Sequence, residues 1–145
     1  MFVLIVGCGR VGSSLARAML DDGHTVSVLD EDPEAHARLE VGLEGGWEVS
    51  GGMFAVGTAL EVDALEAAGI DQADAFVAAT NGDNTNIVIS QIAQRRYGVE
   101  TVIARILDPL RAEWYSTQGL RTICPTRVAV DMLSTELRQA AGGRT

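Results

Sequence analysis

Apolar residues in this chain gather into short runs separated by stretches of helical spacing. Phe2-Val3-Leu4-Ile5-Val6 is a continuous apolar run of strand length, and Thr25-Val26-Ser27-Val28-Leu29 is a second that ends in Asp30. Between them Leu15, Ala16, Met19 and Leu20 recur as one face of a helix. Met53 to Val56, Ala75 to Ala79, Thr101 to Arg105 and Thr122-Ile123 read as four more strands. Helices are predicted between these runs. Asp32-Pro33-Glu34 supplies an N-cap, a proline at the first helical position and an acid in the first turn of a helix reaching about Val41. Val62, Leu65, Glu66 and Ala68 mark a helix that stops at Gly69, and Asn84 to Tyr97 a longer one with Ile87, Val88, Ile92 and Ala93 on its apolar side. A helix from Pro109 to about Thr117 and a last one carrying Val130, Leu133 and Leu137 complete the series. Gly42 to Gly52, with five glycines in eleven residues, breaks the rhythm and is expected to be a flexible loop or hairpin.

Strands that alternate with helices in this way predict an α/β fold with a parallel sheet, right-handed crossovers and helices on both faces. The expected arrangement is doubly wound and Rossmann-like, with six strands in the order 3-2-1-4-5-6. Strand order then reverses between the first and fourth strands, and a ligand belongs in the crevice outside their carboxyl ends. Two segments face that crevice: Gly7 to Gly12 and the polar turn Thr80 to Asp83.

The first of them, Gly7-Cys8-Gly9-Arg10-Val11-Gly12, has the spacing G-x-G-x-x-G directly behind a strand and ahead of a helix. That spacing lets the chain turn at the first glycine, approach a pyrophosphate at the second and pack helix on strand at the third. The following helix aims free N–H groups and its positive dipole end at the anion. Eighteen residues separate Gly12 from Asp30. This is close to the spacing of about 20 at which an acidic side chain accepts hydrogen bonds from an adenosine ribose. A guanidinium at Arg10 falls where phosphate oxygens would sit, though a solvated surface arginine has the same look. A ribose 2′-phosphate would meet Asp30, Glu31 and Asp32 with no arginine before Arg38 to neutralise it, so NADP is disfavoured.

Length and charge narrow the classes. At 145 residues the chain suits one domain, here 1–139 followed by a flexible tail over 140–145. Its hydrophobic share of 47% contains no apolar stretch near the roughly 20 residues of a membrane span. Residues 2–6 are too short for a signal peptide, and a cytoplasmic location is expected. A net charge of −9 argues against a nucleic-acid partner, so any anion must be held locally by backbone donors and a few arginines. Cys8 and Cys124 close the first and last strands, too far apart in this topology for a disulfide, and both are expected to be free. His24 and His36 have no second ligand at useful spacing in the sequence, so no metal site is expected.

With these pieces the chain resembles the N-terminal nucleotide-binding domain of the RCK, or KTN, family (TrkA-N type), the cytosolic regulatory subunits of Trk and Ktr potassium transporters. The resemblance rests on the Gly7–Gly12 motif, on Gly23-His24-Thr25-Val26 leading to Asp30, and on Ala68-Gly69-Ile70 with Ala73-Asp74. Ala78-Ala79-Thr80-Asn81, Asn86 and Ala104-Arg105 extend it, and it covers residues 1 to about 135. It implies Gly7, Gly9, Arg10, Val11 and Gly12 around phosphates, Asp30 with neighbouring Glu31 on the ribose side, and Thr58 and Ala59 near the adenine. It further implies Thr80 and Asn81 closing the pocket and Arg105 as a further phosphate contact. One departure is Gly57-Thr58-Ala59 where the family usually has Gly-Asp-Ala, which replaces a carboxylate by a hydroxyl near the adenine.

The resemblance implies a domain that senses NAD(H) or an adenine nucleotide (ATP, ADP or AMP) for a membrane potassium transporter and breaks no bond. It also implies a homodimer or higher oligomer, with the last helix crossing onto a partner subunit; from the stripe alone, closure of the sheet's own edge is equally open. An NAD-dependent dehydrogenase and a sensor for a different transporter stand as alternatives. Dehydrogenation needs a substrate domain and an acid or base beside the nicotinamide, and neither is visible in the sequence. The absence of lysine removes Schiff-base chemistry and the P-loop lysine together.

Overall fold

The computed structural model describes residues 1–143. In chain order the elements are β1 (Phe2–Val6), α1 (Arg10–Asp21), β2 (Thr25–Asp30), α2 (His36–Leu39), β3 (Met53–Val56), α3 (Val62–Ala67), β4 (Ala75–Ala78), α4 (Asp83–Arg95), β5 (Thr101–Arg105), α5 (Pro109–Thr117), β6 (Arg121–Ile123) and α6 (Pro125–Gly142). All strand pairs are parallel and the sheet runs β3-β2-β1-β4-β5-β6. The doubly wound, Rossmann-like order expected from the sequence is therefore the one observed.

Both faces of the sheet are covered, and β1 shows how. Successive side chains of a strand point to opposite faces, so Leu4 and Val6 join a core with Leu29, Phe76 and Ile89, while Val3 and Ile5 join another with Val26, Val28 and Trp47. A strand buried on both sides needs an unbroken apolar run, which is what Phe2 to Val6 provides.

Several details depart from the expectations. The segment after β2 is a 3-10 turn (Pro33–Ala35) capped by Asp32, followed by a single turn of α-helix, rather than one helix to Val41. On α4, Val88 faces out, and the buried positions are Asn86, Ile87, Ile89, Ser90 and Ala93. The segment 42–52 is neither hairpin nor loose loop: it folds around Trp47, which is fully buried. The Trp47 amide donates to Glu40 Oε2 at 2.6 Å, and its indole Nε1 donates to the Met53 carbonyl at 3.0 Å. Buried aromatic area with a satisfied indole N–H outweighs the entropy of five glycines.

Helix α6 continues to Gly142, past the expected boundary at 139, while Arg144 and Thr145 of the expected tail lie outside the described residues. None of its residues is buried, and Val130, Leu133 and Leu137 stand 52%, 64% and 71% exposed. The stripe therefore does not close this sheet's own edge. Cys8 and Cys124 are both buried free thiols. Among the described residues no helix is long and apolar enough to cross a membrane.

Candidate functional site

At the carboxyl ends of β1 and β4, where the strand order reverses, the structure opens a cavity of about 480 Å3. Its volume falls within the roughly 300–1,000 Å3 typical of small-molecule sites. Gly7, Gly9, Asp30, Glu31, Thr58, Ala59, Thr80 and Asn81 all line it, so eight of the twelve residues singled out from the sequence come together here. Arg10, Val11, Gly12 and Arg105 do not form its wall.

The three glycines have separate physical duties. Gly7 takes a positive φ of 103°, and a Cβ there would stand 2.7 Å from the backbone of Ala79 and Thr80. Only glycine lets the turn after β1 touch the turn after β4. A Cβ on Gly12 would lie 1.7 Å from the Gly7 carbonyl oxygen, so that glycine sets how closely α1 packs on the turn. Gly9 differs from both: a Cβ there would meet no atom within 4 Å, yet the residue lines the cavity. The missing side chain at Gly9 leaves room that the protein itself does not fill, which suits close approach of a phosphate to backbone.

Asp30 is built into this turn. Its Oδ2 accepts from the Cys8 amide at 2.7 Å and its Oδ1 from the Asp32 amide at 2.9 Å. A carboxylate has about four acceptor positions, so each oxygen retains capacity for a ribose hydroxyl. The capping role read for Asp32 holds as well, with its Oδ1 accepting from the Glu34 amide at 2.9 Å. Burial first, and the Asp30 carboxylate second, push the Cys8 thiol up to about 11, with Arg38 and Arg17 acting the other way. Cys8 is therefore a protonated packing group, donating its S–H to the Ala35 carbonyl at 3.4 Å.

Across the cavity, the turn after β4 is organised by Asn86, a residue that the sequence showed only as part of the family resemblance. Its Oδ1 accepts from the Thr80 amide at 3.1 Å and from the Thr80 hydroxyl at 2.6 Å, and its Nδ2 donates to the carbonyls of Thr80 and Arg105 at 3.0 and 2.8 Å. All four hydrogen-bonding positions of a buried amide are used. The signal was an asparagine inside the first turn of α4, on the face that otherwise carries Ile87 and Ile89. Arg105, implied as a phosphate contact, donates through Nη1 to the Thr80 carbonyl at 3.1 Å and to Asn81 Oδ1 at 3.3 Å. It braces the turn, and its buried Nε has no partner among the described residues. Arg10 and Val11 are exposed at the start of α1 beside the cavity.

The structure adds Arg38, which lines the cavity together with Asp30, Glu31 and Asp32. It is the one basic residue among those in the wall, where no histidine, cysteine or lysine is found among the described residues. The expectation about the histidines needs correction at His36. Its Nε2 lies 2.7 Å from Glu48 and its Nδ1 3.4 Å from Glu40, bringing three ligand-type groups within 4.8 Å. Glu40 stands four residues on, a helical spacing already present in the sequence, whereas Glu48 comes from the loop 42–52, twelve residues away and beyond a search by local spacing. The cluster ties that loop to α2.

Comparison with known proteins gives the same picture. The family model described as the TrkA-N domain matches residues 3–125. A Trk system potassium uptake protein TrkA from Streptomyces coelicolor is 43% identical over 133 residues, covering 92% of this chain and 56% of that protein. The chain thus spans a little over half the length of this curated relative. Among solved structures, the AMP-bound Kef C-terminal domain of Shewanella denitrificans superposes with a TM-score of 0.78 at 25% identity, over 98% of this chain and 82% of that one. The GsuK channel bound to NAD superposes with a TM-score of 0.77 over 97% of this chain and 24% of that one; at 19% identity it establishes the fold alone. A family match that runs from the first strand through the last, over a sheet with this order and this glycine turn, admits one conclusion: the chain belongs to the TrkA-N domain family.

Proposed function

We propose that this chain is a nucleotide-sensing regulatory domain of a potassium-uptake system, binding an adenosine phosphate or NAD(H) in the β1/β4 crevice without transforming it. The observation that carries this reading is the pairing, in one cavity, of unfilled space at Gly9 with the Asp30 carboxylate held at the cavity wall. Phosphate meets backbone and the open N-terminus of α1, while the ribose diol donates to Asp30. Thr58 and Ala59 border the adenine, and the Thr80–Asn81 turn closes over the ligand. The AMP-bound form of the Kef domain supports nucleotide binding by a chain of this fold. NADP is disfavoured because three carboxylates, Asp30, Glu31 and Asp32, face a single guanidinium there.

Among the described residues the wall pairs no nucleophile with an adjacent base, which favours sensing over catalysis. A bound ligand acts by preferring one of two arrangements of an assembly, since equal affinity for both would shift nothing. The exposed Val130, Leu133 and Leu137 stripe of α6 gives a second copy of the chain an apolar face to cover, and the assembly meets its membrane potassium-transporter subunit from the cytoplasm. The test is a melting-temperature panel with AMP, ADP, ATP, NAD, NADH and NADPH at matched concentration. A ligand at 100 times its dissociation constant stabilises by about 2.7 kcal/mol. Clear shifts with the adenosine phosphates or NAD(H), and little with NADPH, are expected; a flat panel rejects the reading.

A further inference from the structure

Cys8 is held at both of its peptide groups from the β2–α2 side. Its amide donates to Asp30 Oδ2 at 2.7 Å, and its carbonyl accepts from Arg38 Nη1 at 3.1 Å. A peptide unit is planar and trans, so fixing the carbonyl of Cys8 fixes the direction of the Gly9 N–H, which points the opposite way. That N–H has no protein acceptor among the described residues, and Gly9 borders the empty side of the turn. Arg38 itself has a firm base. It sits on α2 between Ala35 and Leu39, both buried to 1% exposure or less, and α2 is tied to the next loop through His36 and Glu48.

We propose that Arg38 is a positioning residue for the phosphate end of the ligand. By holding the Cys8 carbonyl it keeps that oxygen from turning toward the anion and keeps the Cys8–Gly9 peptide in the orientation that a phosphate needs. Without it the carbonyl has no other hydrogen-bond donor among the described residues, and the φ freedom of Gly9 lets the Cys8–Gly9 peptide turn. The guanidinium also offsets Asp30, Glu31 and Asp32, whose combined charge would otherwise oppose a phosphorylated ligand. Sequence distance hides the role, because Arg38 lies thirty residues beyond the peptide it holds.

The inference rests on the nucleotide reading above, and its test separates the two. Affinities of the wild type, Arg38→Met and Arg38→Lys for ADP, AMP and adenosine are measured by calorimetry at low and high salt. Arg38→Met is expected to weaken ADP and AMP by about tenfold, near the worth of one hydrogen bond, and to leave adenosine within about twofold. The loss should persist at high salt, because a peptide orientation is not screened, and Arg38→Lys should recover part of it. In the free protein the Gly9 amide resonance should shift in Arg38→Met. An equal loss for adenosine would make Arg38 a direct contact to base or ribose, and a loss that vanishes in salt would leave only its charge; either overturns the proposal. Wild type that binds ADP alongside an unchanged Arg38→Met overturns the proposal alone, whereas wild type that binds none of the three ligands overturns the nucleotide reading with it.

Discussion

Two glycine-rich segments lie within fifty residues of each other, and they use glycine for opposite ends. In 7–12 the glycines permit backbone to approach backbone, Gly7 against the Ala79–Thr80 peptide and Gly12 against the Gly7 carbonyl, while Gly9 keeps a space open. In 42–52 they let a short chain curl tightly enough to bury one tryptophan. A Cβ on Gly52 would stand 2.1 Å from the Trp47 indole. One segment leaves open space at the cavity wall and the other is built around a group that is present. Glycine content alone therefore says that the chain turns, and only the neighbours say what the turn is for.

The sharpest way to break the comparison is to remove the present group. Trp47→Ala should destabilise the domain by about 3–5 kcal/mol in a denaturant titration, the usual cost of an emptied aromatic site. A loss below about 1 kcal/mol would return 42–52 to the status of a loose loop. Gly12→Ala comes next, at roughly 3 kcal/mol, because the new methyl meets a backbone oxygen that cannot move without dragging Gly7 off Thr80. The same titration reads it.

Cys8 offers a probe of the glycine turn through pH. Its pKa is raised in the folded state, so above about 9 the unfolded chain binds fewer protons than the native one, and stability falls as pH climbs toward 11. Below that window the thiol is protonated in both states and contributes no slope. The expected loss is on the order of 2–3 kcal/mol, and Cys8→Ala should flatten that part of the wild-type curve of melting temperature against pH. Gly9→Ala has the smallest effect on folding, within about 0.5 kcal/mol, since nothing stands where the methyl would go. The same variant should abolish the ADP-induced shift in melting temperature. Unaltered ADP binding by Gly9→Ala would show that the space at Gly9 is not where phosphate lies.

Much of the crevice was legible because its determinants are local. Gly7, Gly9 and Asp30 occupy positions fixed by a strand, a turn and the next strand, and such spacing survives in one dimension. The braces were not legible for the converse reason. Asn86 and Arg105 meet at Thr80, Arg38 reaches back to Cys8, and Glu48 returns to His36, each across a separation that no periodicity records. Arg105 shows the limit well: its place at the end of β5 was evident, but whether it faces ligand or a carbonyl depends on the turn from a neighbouring strand.

The sequence by itself determined the number, kind and order of the elements, because unbroken apolar runs can only be satisfied by a sheet covered on both faces. It also determined that an anion should be met by backbone rather than by a basic surface, since the chain carries a net charge of −9. Tertiary structure decided which polar groups are spent on the protein itself and which remain for a ligand. That division is made by contacts between distant segments, whose geometry exists only once the sheet has brought β1, β2, β4 and β5 side by side.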